Sequence, residues 1–230
     1  MKILILGISG MLGHKAFERL SLNDEYKVFG TLRNENDMKK YFKKSKNSSN
    51  IFSKIDALNP STVLKLIDEL SPDLILNCIG IIKQLKESQN PLLSIEINSL
   101  FPHKVANHIE NSKTRLIHIS TDCVFSGEKG NYFETDYSDA KDLYGKTKYL
   151  GELTSYKNSI TLRTSIIGLE LKGKVSLLEW FLNTQEAVNG YTNAIYSGFT
   201  TLELTKIIEN HIIPNPNISG LYNVSSYSIS

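Results

Sequence analysis

The sequence predicts an α/β fold built on a doubly wound parallel sheet. Two observations lead to this prediction. Short, continuously apolar runs recur along the chain, as expected of strands that are buried on both faces, and segments with helical periodicity separate them. The 230 residues include 40% hydrophobic and 22% charged residues, and a chain of this length can bury a sizeable core without disulfides or metal ions.

The first half of the chain alternates strands and helices. Predicted strands cover 2–6 (KILIL), 26–31 (YKVFGT), 51–57 (IFSKIDA) and 73–80 (DLILNCIG). Helices are predicted at 11–20, at 36–50 and after the third strand, where Asn59 or Ser61 caps the helix and Pro60 occupies its first turn. The Lys-, Asn- and Ser-rich segment 36–50 is interpreted as a solvated helix that ends in a flexible loop rather than as a nucleic-acid-binding patch.

The second half continues this alternation and then changes character. The next predicted elements are a helix over 91–110, a strand over 115–120, a helix from about Asp142 and a strand over 159–165. The last ones are two helical segments and a late strand, at 175–188, 200–212 and 220–225. Because the alternation weakens after Ser165, we expect a sheet domain over residues 1–165 and a smaller, partly separate lobe over 166–230.

Charge and composition exclude several classes of protein. The chain has 26 Lys and Arg against 24 Asp and Glu, a net charge of +2, which argues against a nucleic-acid or anionic-membrane partner. No apolar run approaches the roughly 20 residues that span a bilayer, and glycines interrupt the apolar N-terminus, so no signal peptide is expected. Cys78 and Cys123 lack CxxC spacing and the five histidines are scattered, so we predict no metal site and a reducing, cytoplasmic location.

A glycine-rich turn directly follows the first strand and precedes the first helix. Its sequence is GISGMLG, with GxxGxxG spacing. Glycines permit a tight turn and let the backbone approach a pyrophosphate, whose charge is then bound by the N–H groups and dipole of the helix. The alternative is a turn with a purely structural role. The dinucleotide-binding residues predicted in this turn are Gly7, Ser9, Gly10, Met11, Leu12 and Gly13.

The end of the second strand predicts which dinucleotide binds. An acidic residue about 20 residues past the glycines would bind the ribose 2′-OH of NAD, but here the sequence is GTLRN, with Arg33 at the strand end. A planar guanidinium suits a 2′-phosphate, so NADP(H) is predicted over NAD(H); a surface arginine near Glu35 is the alternative. Further cofactor contacts are predicted at the next two strand ends, at Asp56, Ala57, Cys78, Ile79 and Gly80. The alternatives are a loop cap for Asp56 and a small core residue for Cys78.

A tyrosine and a lysine lie four residues apart at the start of the helix near Asp142. Tyr144 and Lys148 therefore share a helix face, and we expect the ammonium to lower the phenol pKa from its ordinary value of about 10. Lys148 would also hydrogen-bond the nicotinamide ribose. YxxxK is common by chance, but here it follows Ser120 and Thr121, whose hydroxyls emerge at the carboxyl edge of the sheet. A substrate carbonyl oxygen would lie between Thr121 and the phenol.

These motifs resemble those of the extended short-chain dehydrogenase/reductases, and most of all the dTDP-4-dehydrorhamnose reductase (RmlD-like) group. The resemblance covers most of residues 1–170 and depends on GISGMLG, ISTDCVFSGEKGNYFETD, DLYGKTKYLGE and LRTSIIG. It implies an NAD(P)-binding Rossmann fold and reduction by NADPH at C4 of a 4-keto-6-deoxy nucleotide sugar, in the synthesis of surface-polysaccharide precursors such as dTDP-rhamnose. The catalytic Thr, Tyr and Lys of the family correspond to Thr121, Tyr144 and Lys148.

Substrate contacts are expected around the same edge and in the C-terminal lobe. The predicted substrate-binding residues are Lys83, Thr121, Asp122, Val124, Phe125 and Trp180. A solvated loop position for Lys83 and a core position for Trp180 are the alternatives. The segment NCIGIIKQLKESQNP departs from the family pattern, which leaves the sugar open. Family members continue past a segment like GLYNVSSYSIS, so the resemblance implies a partial substrate-binding lobe over 166–230.

Other functions stay open at this point. A nucleotide-sugar epimerase would retain bound NAD, and a dehydratase would use an acid such as Asp122, although Cys123 stands where dehydratases carry a Glu. The intact Thr121, Tyr144 and Lys148 set argues against a non-catalytic dinucleotide-binding regulatory subunit. A cofactor-binding fragment without turnover is a further alternative, since the substrate lobe is expected to be partial. The fold alone does not separate these functions. A homo-oligomer is compatible with the sequence, which does not specify one.

Overall fold

The computed structural model describes residues 1–229 and is organised around a fully parallel sheet. The strands are β1 (Lys2–Leu6), β2 (Lys27–Thr31), β3 (Ile51–Phe52), β4 (Leu74–Asn77), β5 (Arg115–Ile119), β6 (Ser159–Arg163), β7 (Ile166–Ile167), β8 (Phe199–Thr200) and β9 (Gly220–Asn223). Seven of them form the sheet in the order β3-β2-β1-β4-β5-β6-β9, and β7 and β8 form a separate parallel pair. The order reverses between β1 and β4, so the predicted doubly wound sheet is confirmed.

Helices cover both faces of the sheet. They are α1 (Met11–Leu20), α2 (Glu35–Asp37), α3 (Pro60–Leu70), α4 (Pro91–Ser94), α5 (Phe101–Ile109), α6 (Leu143–Leu150), α7 (Leu177–Asn183) and α8 (Thr201–Ile207). Three π-helical segments extend them, at Met38–Phe42, Ile95–Leu100 and Ile208–Ile212. The predicted helix at 91–110 is therefore continuous, whereas the predicted helix at 36–50 ends at Phe42.

The core has two layers, one on each face of the sheet. β1 shows why, since its side chains alternate between the faces. Ile3 and Ile5 pack in the layer formed with α1 and α8, while Leu4 and Leu6 pack in the layer formed with α3 and α5. All four are fully buried. A strand with both faces covered needs an uninterrupted apolar sequence, which is what KILIL supplies.

Two predicted elements are shorter than their sequence pattern indicates. The third strand, predicted over 51–57, pairs with β2 only at Ile51–Phe52. Lys54 adopts a left-handed backbone with φ of 63°, which turns the chain away from the sheet and ends the strand. The last but one helix, predicted over 175–188, is formed only at Leu177–Asn183.

The last part of the chain packs against the main sheet. β9 pairs with β6, α8 packs in one core layer with α1, and Arg19 Nε donates to Glu209 Oε2 at 2.8 Å. Without these elements β6 would be an edge strand with open hydrogen-bonding groups, and α1 would present an uncovered apolar face. Of the predicted lobe, residues 168–198, which include α7, lie outside the main sheet.

Candidate active site

The candidate site begins at the glycine turn between β1 and α1. Gly7 N donates to Thr31 Oγ1 at 3.0 Å, which ties the turn to the end of β2. A Cβ on Gly13 would overlap the carbonyl oxygen of Gly7, so only glycine lets α1 start this close to the strand. No side chain caps α1 and its first turn has no acidic residue. The N–H groups of Met11 and Leu12 are therefore free to bind a phosphate, and the residues present fit a dinucleotide.

The end of β4 forms the floor of the crevice next to this turn. A Cβ on Gly7 would meet Ile79 Cγ1 at 2.8 Å, and a Cβ on Gly80 would lie 3.8 Å from Lys148 Nζ. The structure thus brings the glycine turn, the end of β4 and α6 together. Burial raises the pKa of the Cys78 thiol to about 12, so this side chain stays a neutral thiol and serves as a small wall residue.

The predicted 2′-phosphate residue lies beyond the end of β2 on the surface. Arg33 is exposed. The two carboxylates that follow it pair with other cations, Glu35 with Lys54 at 3.5 Å and Asp37 with Lys172. In the described structure neither carboxylate neutralises Arg33, whose guanidinium is free for an anionic group.

Asp56 and Ala57 lie where β3 leads into α3. Asp56 Oδ1 accepts a hydrogen bond from Leu58 N at 3.0 Å, so Asp56 acts as a loop cap, which was the alternative to an adenine contact. Ala57 is buried in the core layer of α3 and α5. Because the sheet is parallel, both residues follow β3 at the same carboxyl edge as the catalytic residues, and their contact with the cofactor stays a prediction.

Thr121 and Tyr144 are brought together by the packing of a short 3₁₀ turn, Asp122–Val124, against α6. Thr121 Oγ1 accepts from Cys123 N at 3.2 Å and so caps this turn. A Cβ on Gly145 would overlap the carbonyl oxygen of Cys123, so the glycine after Tyr144 allows helix and turn to touch. The Thr121 hydroxyl lies close enough to the Tyr144 phenol to lower the pKa of that phenol.

Lys148 lies one helical turn beyond Tyr144 and is buried. Its Nζ donates to the carbonyl oxygen of Ile119 at 2.7 Å. Burial lowers its pKa from 10.5 to about 8, against the opposing effect of the Glu152 charge. The ammonium is therefore protonated at neutral pH and titrates just above it.

The prediction that Lys148 lowers the pKa of Tyr144 is wrong. Burial raises the pKa of Tyr144 well above 10, the nearby Thr121 hydroxyl lowers this pKa only in part, and the acidic groups of Asp122 and Asp142 raise it further. The Lys148 ammonium is bound to a backbone carbonyl of β5. Tyr144 is therefore a neutral phenol at physiological pH, a form suited to donating a proton.

Three predicted substrate contacts lie in the same turn as Thr121. Asp122 is exposed, Val124 is buried and Phe125 is half-buried. The Nζ of Lys83 lies 2.7 Å from Asp142 Oδ2, at the start of the helix that carries Tyr144. It therefore closes the loop after β4 onto the start of α6.

Trp180 does not belong to the core. It lies on α7, where no residue is buried, and is 48% exposed. The core interpretation of its apolar run is therefore wrong, because this short helix does not pack its apolar residues into either core layer.

Asn98 and Asp142 position the site, although the sequence motifs predicted a positioning role for neither residue. Asn98 is buried in the helix between α4 and α5, where its side chain accepts from Ile81 N at 2.8 Å and donates to Ile81 O at 3.1 Å. Pro102, four residues later, has no N–H for the Asn98 carbonyl, which accounts for the π-helical segment here. Asp142 caps α6 through Gly145 N at 2.8 Å. Two sequence features indicate these roles: Asn98 is a lone Asn on an apolar helix face, and Asp142 lies three residues before a glycine at a helix start.

Residues 1–229 contain neither a metal-ligand cluster nor a membrane-spanning helix. Among the described residues, His, Cys, Asp and Glu side chains form no group that could hold a metal ion. Within residues 1–229, every helix is too short or too polar to cross a lipid bilayer.

Residues 1–178 match the family model described as "RmlD substrate binding domain". A dTDP-4-dehydrorhamnose reductase of Aggregatibacter actinomycetemcomitans is 29% identical over 174 residues, which are 71% of this chain and 51% of that protein. The spore coat polysaccharide biosynthesis protein SpsK of Bacillus subtilis (strain 168) is 32% identical over 140 residues, 58% of this chain and 48% of that protein. The chain thus spans about half the length of the curated relatives it matches.

The fold is also that of solved structures. The dTDP-4-dehydrorhamnose reductase of Bacillus anthracis str. Ames, solved in complex with NADP, superposes with a TM-score of 0.78 at 23% identity, over 100% of this chain and 76% of that one. The corresponding protein of Clostridium acetobutylicum gives a TM-score of 0.78 at 22% identity, with the same coverage. At these identities the likeness concerns the fold.

Proposed function

The chain belongs to the RmlD substrate binding domain family, and from this membership we propose that it uses NADP(H) to reduce the keto group of a nucleotide-linked 4-keto-6-deoxy sugar. The observation that carries the proposal is the meeting of Thr121, Tyr144 and Lys148 at the carboxyl edge of the sheet, beside the glycine turn. The relatives in dTDP-4-dehydrorhamnose reduction and spore coat polysaccharide synthesis support a role in making polysaccharide precursors.

The cofactor would lie across the carboxyl ends of β1 and β4. The N–H groups at the start of α1 bind its pyrophosphate, and Gly80 leaves space for it beside Lys148. Arg33, which no neighbouring carboxylate neutralises, binds the 2′-phosphate and favours NADP(H) over NAD(H). In this proposal residues 1–165 bind the cofactor, and part of 166–230 faces the sugar.

When bound, NADPH supplies the hydride that reduces the carbonyl carbon of the sugar. The hydroxyl of Thr121 holds the carbonyl oxygen, on which negative charge develops. Tyr144 then donates its proton to that oxygen, a step for which its neutral phenol is ready at physiological pH. The buried ammonium of Lys148 hydrogen-bonds the nicotinamide ribose and contributes positive charge beside the reacting groups.

The test is to follow the absorbance of the reduced nicotinamide with purified protein. NADPH or NADH is mixed with dTDP- and UDP-linked 4-keto-6-deoxyhexoses, and wild type and Tyr144→Phe are run in parallel. Oxidation of NADPH that depends on both the sugar and Tyr144 is the expected result. Tight binding of NADPH without any turnover would instead favour a regulatory or cofactor-binding protein.

A further inference from the structure

A buried ion pair outside the catalytic set lies beneath the active-site edge. Glu152 is the second residue after α6, and Arg163 is the last residue of β6. Arg163 Nε donates to Glu152 Oε1 and Arg163 Nη2 to Glu152 Oε2, each at 2.7 Å, and the side chains are 2% and 3% exposed. Because desolvation of two buried charges offsets much of their attraction, stability alone is a weak reason for such a pair.

The carboxylate of this pair holds the end of β5. Ser120 Oγ donates to Glu152 Oε1 at 3.0 Å, and Ser120 N donates to Leu162 O at 2.8 Å. Ser120 is buried and directly precedes Thr121. The backbone that enters Thr121 is therefore fixed by one side-chain and one main-chain hydrogen bond.

The guanidinium of the pair holds the other end of the same segment. Arg163 Cζ lies 4.9 Å from the ring centroid of Phe125, whose other neighbour is the stacked ring of Tyr132 at 4.2 Å. A planar guanidinium over an aromatic ring is a favourable and directional contact. The segment from Ser120 to Phe125, which carries Thr121, is thus held at both ends by one ion pair.

The same carboxylate acts on the catalytic lysine. Glu152 is four residues after Lys148, and its negative charge raises the pKa of Lys148 against the effect of burial. Lys148 also binds Ile119 O, the residue before Ser120. The positions of Thr121, which follows β5, and of Lys148 on α6 therefore both depend on where Glu152 is held.

We propose that the Glu152–Arg163 pair is a positioning device that fixes Thr121 and Phe125 relative to Tyr144 and Lys148. This inference rests on the proposed reductase function. Its residues touch neither cofactor nor substrate, and they act by holding the segment from Ser120 to Phe125 in the geometry that turnover needs.

The test removes the link between the pair and Thr121 and leaves the pair intact. Ser120→Ala deletes one hydroxyl that is bound to a carboxylate, and Ser120→Thr restores a hydroxyl. Ser159→Ala is the matched control, since it deletes a buried serine hydroxyl at the other end of β6 that has no hydrogen-bond partner within residues 1–229. For each variant, kcat, KM, the Kd for NADPH and amide hydrogen exchange across residues 120–125 in the sugar-free protein are measured.

In Ser120→Ala we expect kcat to fall roughly tenfold or more, the Kd for NADPH to stay within about twofold and exchange across 120–125 to accelerate. Ser120→Thr should recover kcat, and Ser159→Ala should match wild type. Unchanged kcat and unchanged exchange in Ser120→Ala, or equal losses in both alanine variants, would overturn the proposal. If wild type itself fails to oxidise NADPH with any sugar, the proposed function fails, and the exchange comparison alone decides whether the pair holds the segment.

Discussion

The ammonium of Lys148 is bound to the carbonyl oxygen of Ile119, at 2.7 Å, across the gap between α6 and β5. Ile119 is two residues before Thr121, and Lys148 is one helical turn after Tyr144. A single hydrogen bond therefore sets the spacing of the two elements that carry the proposed proton donor and the hydroxyl beside it. It also gives the charge of Lys148 a partner other than the phenol, whose pKa is raised by burial.

Replacement of Tyr144 by Phe should remove turnover while cofactor binding survives. We expect kcat to fall by roughly 10² to 10⁴-fold, the loss associated with a missing general acid. Phe has the same ring as Tyr, so the substitution removes only the oxygen that lies near the Thr121 hydroxyl and leaves the packing of the ring unchanged. NADPH binding, followed by fluorescence titration, should change little. Tyr149→Phe, an exposed tyrosine on the same helix, is the control, and a comparable loss in that variant would contradict the assignment.

The pH dependence of turnover should report the titration of Lys148. Its pKa is lowered to about 8, so the charged form is complete below that pH and is lost as the pH rises through 8. We therefore expect kcat, measured from pH 6 to 10, to fall on the alkaline side with a midpoint near 8.

The free energy of unfolding should rise with pH over the alkaline range in which kcat falls. Between the folded pKa of about 8 and the ordinary value of 10.5, the unfolded chain binds more protons at Lys148, so this residue makes the folded state more stable as the pH rises. Denaturant titrations of wild type and Lys148→Met at pH 8 and pH 10 should show this difference. A drop in kcat that follows unfolding would show that the lysine is not the cause.

Arg33→Ala should separate the two dinucleotides. Loss of a charge-assisted contact to a 2′-phosphate weakens binding by roughly tenfold or more, and NADH lacks that phosphate. We expect the Kd for NADPH to rise by this factor and the Kd for NADH to stay nearly unchanged. Lys44→Ala removes an equal charge from an exposed position in the segment after α2 and should affect neither. Equal weakening of both dinucleotides by Arg33→Ala would overturn the 2′-phosphate assignment.

Gly145→Ala should damage the site through sterics alone. The added Cβ would overlap the carbonyl oxygen of Cys123 and lie 2.6 Å from Ala140 Cβ, so α6 must move away from the 3₁₀ turn. Overpacking of this kind costs about 1–3 kcal/mol, which corresponds to a fall in Tm of roughly 2–12 °C for a chain of this size. We expect kcat to fall as well, because Tyr144 moves relative to Thr121. Gly190→Ala, where a Cβ would have nothing within 4 Å, should leave Tm and kcat unchanged.

Much of the sheet could be predicted because its signal is local. The run KILIL and the glycine turn after it contain, within a dozen residues, the reasons for a buried strand and a close helix start. The end of β3 could not be predicted, because the left-handed backbone at Lys54 has no marker in a sequence of ordinary residues. The place of β9 was equally hidden, since strand pairing with β6 is decided by which edge is open, and that depends on the whole sheet.

Some features of the candidate site could also be predicted from local sequence, and others could not. Thr121, Tyr144 and Lys148 could be selected from spacing and from their place after a strand or at a helix start. The upward shift of the Tyr144 pKa could not be predicted from the sequence, because it depends on burial and on where the Lys148 ammonium points. The engagement of Lys83 with Asp142 depends on a contact between residues 59 positions apart in the sequence, which no local pattern shows.

The joining of α1 to α8 and of β6 to β9 has a consequence for biosynthesis. A ribosome releases α1 long before α8, since Glu209 follows its partner Arg19 by 190 residues. The strand β9 follows β6, whose edge it completes, by about 60 residues. Until then the nascent chain exposes an apolar helix face and an open strand edge, both of which favour aggregation. Pairings of such high contact order fold slowly. These two surfaces are therefore covered only after residue 223 has left the exit tunnel.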